Sequence, residues 1–194
     1  RNLASLGYKV LPCCWPNDKG QCGCGWNHEA KTVGKAPRVK GGVTAATTNP
    51  QIIQQWWRET PLANVSIALE PDYIMLDPDS PEALQEVYAL GVPETLTRIS
   101  RHKAFIFKAP PDIRQTRIVH QGTSGAIDIF SNGYCLVFGT HQTGRRIFFE
   151  NPEYEPSPPP PWLLEWITRL ADHNPIPDHQ DTRPPVRLTK SGLE

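Results

Sequence analysis

The stretch Tyr73-Ile74-Met75-Leu76-Asp77-Pro78-Asp79-Ser80-Pro81 decides the fold, because an apolar run leads directly into two carboxylates and a helix start. The run from Tyr73 to Leu76 predicts a short buried strand. Side chains alternate along an extended backbone, so Asp77 and Asp79 are expected on the same face. Paired carboxylates suit Mg²⁺ or Mn²⁺. Two such ions, roughly 3.5 to 4 Å apart, are a common arrangement for phosphoryl transfer.

A second interpretation of the acidic pair has to be kept open. The run from Pro81 to Leu90 is helical in pattern and ends at Gly91, and acidic residues are favoured near helix N-termini without any catalytic role. Ser80 is placed to cap this helix, with Pro81 at its first position. Asp79 is therefore not needed as the cap, which favours the metal-binding interpretation.

Two further polar elements follow the acidic pair. Ser100-Arg101-His102-Lys103 stands immediately before an apolar strand and offers a hydroxyl, a guanidinium, an imidazole and an ammonium group, which suit a triphosphate. A solvated basic turn is the alternative. Asp128 lies inside the apolar run 125–130, where an unpaired carboxylate is costly to bury, so it should face a metal or a base such as Arg145.

Four of the five cysteines lie between positions 13 and 24, which indicates a metal site and a reducing compartment rather than disulfides. Cys14, Cys22, Cys24 and His28 lie close together in the sequence, and we predict that these four residues bind a structural Zn²⁺ ion. Cys14 is preferred over Cys13, which would continue the preceding strand. An unmetallated thiol cluster is the alternative. Cys135 lies in an apolar strand and is expected to serve packing.

The remaining pattern predicts an α+β fold with antiparallel pairing rather than a doubly wound sheet. A helix is expected near residue 50, capped by Asn49, and another after the proline run 155–161. Ser131-Asn132-Gly133 predicts a hairpin between the strands on either side of it. Further strands are expected at 6–12, 65–69, 104–108, 125–130, 134–138 and 146–149. We expect a core over 1–155, including the metal loop 13–28, and then a connector, an amphipathic helix and an irregular tail over 156–194.

Composition argues against two classes of protein, those that span a membrane and those that bind nucleic acid through bulk positive charge alone. The chain has 194 residues with 38% hydrophobic residues, and no apolar run is long enough to span a bilayer. Its formal net charge is zero, which argues against nucleic-acid binding through bulk positive charge alone. Basic residues are instead concentrated in two stretches, and these are Lys31, Lys35, Arg38 and Lys40, and then Arg98, Arg101, Lys103, Lys108, Arg114 and Arg117.

The ordered set of motifs resembles the bifunctional DNA primase/polymerase domain of the archaeo-eukaryotic primase superfamily. That family has an acidic-x-acidic pair after an apolar strand, then a Ser-x-His element, then a lone Asp after apolar residues. The matching motifs here are Asp77-Pro78-Asp79, Ser100-Arg101-His102 and Ile127-Asp128. Gly34-Lys35-Ala36-Pro37 also resembles the family's N-terminal pattern, although the family often has His where Ala36 stands.

The resemblance implies an N-terminal α/β module joined to a sheet like that of an RNA-recognition motif, with the active cleft between them. It implies that Asp77, Asp79 and Asp128 bind two Mg²⁺ or Mn²⁺ ions. His102, together with Ser100, Arg101 and Lys103, would contact the triphosphate. The expected partners are a single-stranded DNA template, a primer, and dNTPs or NTPs. Family members often continue into a helicase, which suggests a prokaryotic cytoplasmic protein that replicates a plasmid, a phage or another mobile element.

Two other functions are compatible with some of these features. A metal-dependent nuclease would use the same carboxylates but would not need a triphosphate pocket. A non-catalytic zinc-containing DNA-binding module would use the metal loop and the basic stretches, and its acidic residues would tolerate substitution.

Overall fold

In the part of the chain that the structure describes there are nine strands and three α-helices, two of which connect strands and the third of which follows the last strand. The computed structural model describes residues 2–26, 28–113, 117–121 and 125–173. The strands are β1 (Val10–Cys13), β2 (Asn64–Ala68), β3 (Tyr73–Pro78), β4 (Leu96–Ile99), β5 (Lys103–Lys108), β6 (Arg117–Gln121), β7 (Ala126–Phe130), β8 (Tyr134–Thr140) and β9 (Arg146–Phe149). The helices are α1 (Pro50–Glu59), α2 (Pro81–Ala89) and α3 (Pro161–His173). Short 3₁₀ turns lie at Leu3–Leu6, Ala30–Thr32 and Gly42–Ala45.

The nine strands form one sheet in the order β1-β2-β8-β9-β4-β5-β3-β7-β6. Each neighbouring pair of these strands is antiparallel. Helices and an antiparallel sheet in one chain confirm the α+β prediction.

The two faces of the sheet bury separate apolar clusters because side chains alternate along each strand. On β3, Ile74 and Leu76 pack with α2 and α3 on one face. Met75 projects to the other face and packs with residues of β2, β4, β5 and β8. Asp77 follows Met75 on that second face by the same alternation.

Helix starts agree with the predicted caps. Asn49 accepts backbone hydrogen bonds from Gln51 and Ile52 at the start of α1, with Pro50 as the first helical residue. The Ser80 hydroxyl accepts one from the Ala83 amide at 3.0 Å at the start of α2. Asp79 is therefore not the capping residue of α2.

The predicted hairpin at Ser131-Asn132-Gly133 is wrong. β7 pairs with β3 and β6, whereas β8 pairs with β2 and β9, so this turn carries the chain from one half of the sheet to the other. The Gly133 carbonyl accepts a hydrogen bond from the Leu69 amide at 2.9 Å, just beyond β2. A turn-forming sequence shows that the chain reverses, but it does not determine which strands pair.

Other differences from the predicted pattern are smaller. The first strand covers Val10–Cys13 rather than 6–12, because the chain from Leu3 to Leu6 is a 3₁₀ turn. β4 and β6 were not predicted. The helix after the proline run forms and packs its buried side chains, including Trp166, on the α2 face of the sheet. Within the described ranges, no helix is long and apolar enough to cross a membrane. The irregular tail was predicted from His173, which is instead the last residue of α3. The rest of that tail, from Asn174 onward, and Arg114 lie outside the described residues.

Candidate active site

Two carboxylates face each other across neighbouring strands of the sheet. Asp77 at the end of β3 and Asp128 in the middle of β7 are register partners in the antiparallel pair. Directly opposed residues of such a pair have Cβ atoms roughly 4.5 to 5.5 Å apart and lie on the same face. Both aspartates are partly buried. Like charges this close repel each other unless a cation lies between or beside them.

Asp79 adds a third carboxylate just beyond β3. Its amide donates to the Ala126 carbonyl at 3.0 Å, which fixes the backbone next to β7. As alternation predicts, Asp77 and Asp79 line the same cavity. Burial of the carboxyl group and repulsion from Asp77 raise the pKa of Asp79, partly offset by nearby basic groups.

A buried guanidinium lies beside this acidic group. Arg98 on β4 is only 7% exposed, and its Nη2 donates to Oδ2 of Asp77 at 3.0 Å. Arg98 lies two strands away from β3 across β5, on the same face as Asp77. The ion pair holds the Asp77 carboxylate in one orientation. Sequence reasoning placed Arg98 in a basic stretch but did not assign it to the site.

The turn between β4 and β5 brings three of the predicted nucleotide-binding residues to the cavity. The Ser100 amide donates to the His102 carbonyl at 3.1 Å, which closes the turn. Ser100, Arg101 and His102 all line the cavity. The Ser100 hydroxyl accepts from the Arg101 amide at 2.6 Å.

Lys103, the fourth predicted nucleotide-binding residue, is placed elsewhere. Its Nζ lies 2.7 Å from Oε2 of Glu150, and that hydrogen bond raises the pKa of Lys103. Lys103 precedes Ala104, which packs into the cluster on the Asp77 face, so alternation along β5 directs Lys103 to the opposite face. The structure therefore separates Lys103 from the other three residues.

The cavity also contains two residues that sequence reasoning did not assign to the site, Lys35 and His141. His141 follows β8 and is 5% exposed. Its Nδ1 accepts from the Thr143 amide at 3.2 Å, so the neutral ring carries its proton on Nε2. Burial and four surrounding cations lower the pKa of His141 to about 4. No sequence motif marks His141 as a site residue, because it reaches the cavity only through the pairing of β8 with β2 and β9.

The cavity has the size and charge of a site for a polyanion with cations. Its volume of about 340 Å³ falls within the range of small-molecule sites. Asp77 and Asp79 line it together with basic or neutral donors, namely Lys35, Arg98, Arg101, His102 and His141, and apolar side chains such as Met75, Phe130 and Leu136 complete the lining. Such a mixture suits a phosphate chain that binds partly through metal ions and partly through side chains.

The cysteine cluster forms a separate group whose geometry fits zinc. The ligand atoms of Cys14, Cys22, Cys24 and His28 all lie within 4.8 Å of one another. The Cys22 and Cys24 sulfurs are 3.3 Å apart, and the Cys14 sulfur lies 3.6 Å from Nε2 of His28. A tetrahedral ion with bonds of about 2.3 Å to sulfur places neighbouring sulfurs about 3.8 Å apart. The cluster could therefore hold a zinc ion with little movement.

Cys13 does not belong to this cluster, because its side chain is directed into the sheet. Its sulfur lies 3.1 Å from the hydroxyl of Ser66 on β2, within the sheet. Burial raises the pKa of the Cys13 thiol to about 12, so this side chain stays protonated. The structure agrees with the choice of Cys14 rather than Cys13 as the fourth member of the set.

Comparison with known proteins gives one clear result. A family model described as the N-terminal domain of bifunctional DNA primase/polymerases matches residues 1–162. None of the curated proteins is similar enough to count as a match. The family match covers most of the chain, including the three carboxylates, the β4–β5 turn and the cysteine cluster. A domain of this kind acts on DNA and nucleotides as a nucleotidyltransferase of the primase/polymerase type. The chain belongs to the N-terminal domain family of bifunctional DNA primase/polymerases.

Proposed function

We propose that this chain is a DNA-dependent nucleotidyltransferase that extends a DNA primer, starts one, or does both, with a two-metal mechanism. The single observation that carries the proposal is the pairing of Asp77 and Asp128 across β3 and β7, with Asp79 lining the same cavity as Asp77. Asp77 and Asp79 line the cavity with five basic or histidine side chains, and Asp128 lies opposite Asp77 on the next strand, which suits a triphosphate bound with divalent cations.

Asp77, Asp79 and Asp128 would hold two Mg²⁺ or Mn²⁺ ions. When bound, such ions neutralise the triphosphate and stabilise the attacking and leaving oxygens. Arg98 keeps the Asp77 carboxylate in place through their 3.0 Å ion pair. Burial and the neighbouring Asp77 raise the pKa of Asp79, and bound cations would favour its ionised form.

His102, Ser100 and Arg101 would contact the triphosphate from the β4–β5 turn. The 3′-hydroxyl oxygen of the primer, or of a first nucleotide, forms a bond to the α-phosphorus. The bond from that phosphorus to the oxygen bridging to the β-phosphate breaks in line. Pyrophosphate leaves with the electron pair, and the hydroxyl proton passes to water. The side chains contribute mainly by positioning the phosphates and balancing their charge.

Three wider parts of the proposal follow from family resemblance. Strands β1 and β2 and helix α1 would form the N-terminal module, and the β3–β7 region would form the sheet like that of an RNA-recognition motif. The cysteine cluster would hold a structural zinc ion. In a cell the protein would act in the cytoplasm of a prokaryote, in replication of a plasmid, phage or mobile element, and beside a helicase.

Primer extension tests the proposal directly. The protein is incubated with a primed DNA template, dNTPs, and Mg²⁺ or Mn²⁺, and product lengths are resolved on a gel. We expect the unaltered chain to extend the primer, and Asp77→Ala/Asp79→Ala to lose activity by at least about 100-fold. Asp72→Ala is the matched control, because Asp72 lies just before the other end of β3 in an exposed ion pair with Lys9.

The outcomes separate the alternatives. Absence of extension by the unaltered chain, with DNA binding unchanged in the double variant, would support a non-catalytic DNA-binding module. Shortening of the primer in a metal-dependent way that the double variant lacks would support a nuclease.

A further inference from the structure

A short segment links the cysteine cluster to the active-site cavity. We call this segment, Gly34-Lys35-Ala36, the strap. On the cluster side, the Cys14 amide donates to the Ala36 carbonyl at 2.8 Å. The Gly34 amide donates to the Cys22 thiol. The strap is therefore bound through its backbone to two members of the cluster.

The opposite side of the strap is bound to the sheet. The Asn64 side chain donates to the Gly34 carbonyl at 2.9 Å, and the Tyr134 hydroxyl donates to the Lys35 carbonyl at 3.1 Å. Asn64 is only 2% exposed and also bonds both backbone groups of Thr140 at the end of β8. The strap thus lies between the cluster and the strand that precedes His141.

The Lys35 side chain enters the cavity with Asp79 and His141. It is among the lining residues, its charge contributes to the lowered pKa of His141, and it offsets part of the rise in the pKa of Asp79. A lysine ammonium is a compact charge that binds phosphate oxygens well. Lys35 therefore joins two sites, because its backbone is held by the cluster and its charge acts in the cavity.

The left-handed backbone at Gly34 makes the strap sensitive to small changes. Gly34 has φ +73°, and an added Cβ would lie 3.1 Å from Cδ of Pro16, which belongs to the metal loop. Any side chain at this position strains the backbone. In the unaltered chain, a change in the metal loop would reach the strap through the hydrogen bonds that join Cys14 to Ala36 and Gly34 to Cys22.

We propose that Lys35 binds the triphosphate of the incoming nucleotide, and that metal loading of the cysteine cluster sets nucleotide affinity by positioning Lys35 through the strap. This inference rests on the proposed function. Two sites coupled in this way must affect each other equally, so a bound nucleotide also raises the zinc affinity of the cluster.

Nucleotide binding without DNA tests the first half. A fluorescent dATP analogue is titrated in Mg²⁺ into the unaltered chain, Lys35→Ala, Lys35→Arg and the control Lys31→Ala. Lys31 is an exposed lysine paired with Glu29 at 3.2 Å. We expect Lys35→Ala to weaken binding about 10- to 100-fold, the usual effect of a lost charge-assisted hydrogen bond. Lys35→Arg should recover part of that loss, and Lys31→Ala should bind like the unaltered chain.

Zinc affinity tests the second half and does not depend on activity. Chelator competition gives the zinc Kd with and without the dATP analogue. We expect the analogue to tighten zinc binding by at least about 5-fold in the unaltered chain and by less than 2-fold in Lys35→Ala. Gly34→Ala keeps all four ligands, and we expect it to bind one zinc ion but to lose nucleotide affinity as Lys35→Ala does. Thermal melting checks that each variant is folded.

The possible failures are distinguishable. Loss of both nucleotide binding and primer extension in the unaltered chain would overturn the proposed function itself. Extension and binding by the unaltered chain, with equal nucleotide Kd in Lys35→Ala, would overturn the role of Lys35. A zinc Kd that the analogue does not change, or changes equally in both proteins, would overturn the coupling even if Gly34→Ala fails to fold.

Discussion

His141 is the residue in the cavity whose charge state depends most clearly on its surroundings. It is buried among Lys35, Arg98, Arg101 and Arg145, and together with burial these cations lower its pKa from 6.5 to about 4. The ring is neutral at pH 7, so its Nε2–H can donate a hydrogen bond to a ligand without adding another positive charge. A site that already contains several cations can therefore accept a phosphate without excess repulsion among its own groups.

This lowered pKa has a consequence for acid stability. The pKa of His141 is lowered in the folded state from 6.5 to about 4. Between these values the unfolded chain binds a proton that the folded chain does not, so the stability of the fold decreases as pH falls from 6.5 to about 4. We expect the free energy of unfolding of the unaltered chain to fall over that range by up to about 1 kcal/mol per pH unit more than in His141→Gln. Urea denaturation at a series of pH values measures both. Parallel curves for the two proteins would contradict the assignment.

At the scale of the element, α3 shows that the helix after the proline run belongs to the packed core. Trp166 is buried against the sheet, and its ring stacks on His120 of β6 with centroids 3.8 Å apart. The Ser157 carbonyl, within the proline-rich segment, accepts from the Lys108 amide at 2.9 Å and guides the chain along β5 towards the helix. Residues beyond 155 therefore stabilise the face of the sheet opposite the cavity.

A single substitution tests this contribution of α3. We expect Trp166→Ala to lower the free energy of unfolding by about 3 to 5 kcal/mol, because it removes a large buried ring and the stacking contact that this ring makes with His120. Glu165→Ala is the matched control, since Glu165 is the exposed neighbour in the same helix. Chemical denaturation gives both values. Equal stability of the two variants would show that α3 is not packed on the core.

The elements that could be predicted are those specified by residues close together in the sequence, whereas strand pairing could not be predicted in this way. Strand β3, both helix caps and the acidic pair follow from alternation and capping chemistry, which act between near neighbours. The opposition of Asp77 and Asp128 depends on register between β3 and β7, which no local pattern specifies. The failed hairpin at 131–133 has the same cause, because Gly133 marks a reversal but β8 finds its partner in β2.

The site residues divide in the same way. Ser100, Arg101 and His102 lie together in one short turn and were found as a motif. Arg98 reads in sequence as a polar residue within an unpredicted strand, and it becomes part of the site only because β4 lies beside β5. Lys103 shows the opposite case, since adjacency in sequence grouped it with the three residues of the turn, whereas alternation along β5 places it on the other face of the sheet.

On the scale of the whole molecule, the metal loop is a part of the chain that has few apolar contacts of its own. The buried cluster around Cys14, Cys22 and Val33 is small, so ordering of this loop would depend on the ion. We expect the purified protein to contain close to one zinc per chain. Chelation should lower its melting temperature by several degrees, and added zinc should restore it. Elemental analysis and thermal melting check these expectations.

Two adjacent cysteines provide a matched pair for that test. Cys14→Ser should reduce zinc content and melting temperature together. Cys13→Ser should keep its zinc, because the Cys13 sulfur is directed at Ser66 and not at the cluster. Loss of zinc from both variants, or from neither, would contradict the ligand set.

The order of strands in the sheet also affects how the chain can fold during synthesis. β2 ends at Ala68, but its inner partner β8 begins only at Tyr134, and β9, which pairs with β4, follows at Arg146. A ribosome therefore releases β1 to β7 while one edge of β2 is still unpaired and the apolar cluster on the Asp77 face lacks Cys135 and Val137. Such long-range pairings fold slowly and leave strand edges exposed to other chains. Ribosomal pausing between β7 and β8 would lengthen that exposure, so aggregation during expression should depend on how quickly codons 131 to 149 are translated.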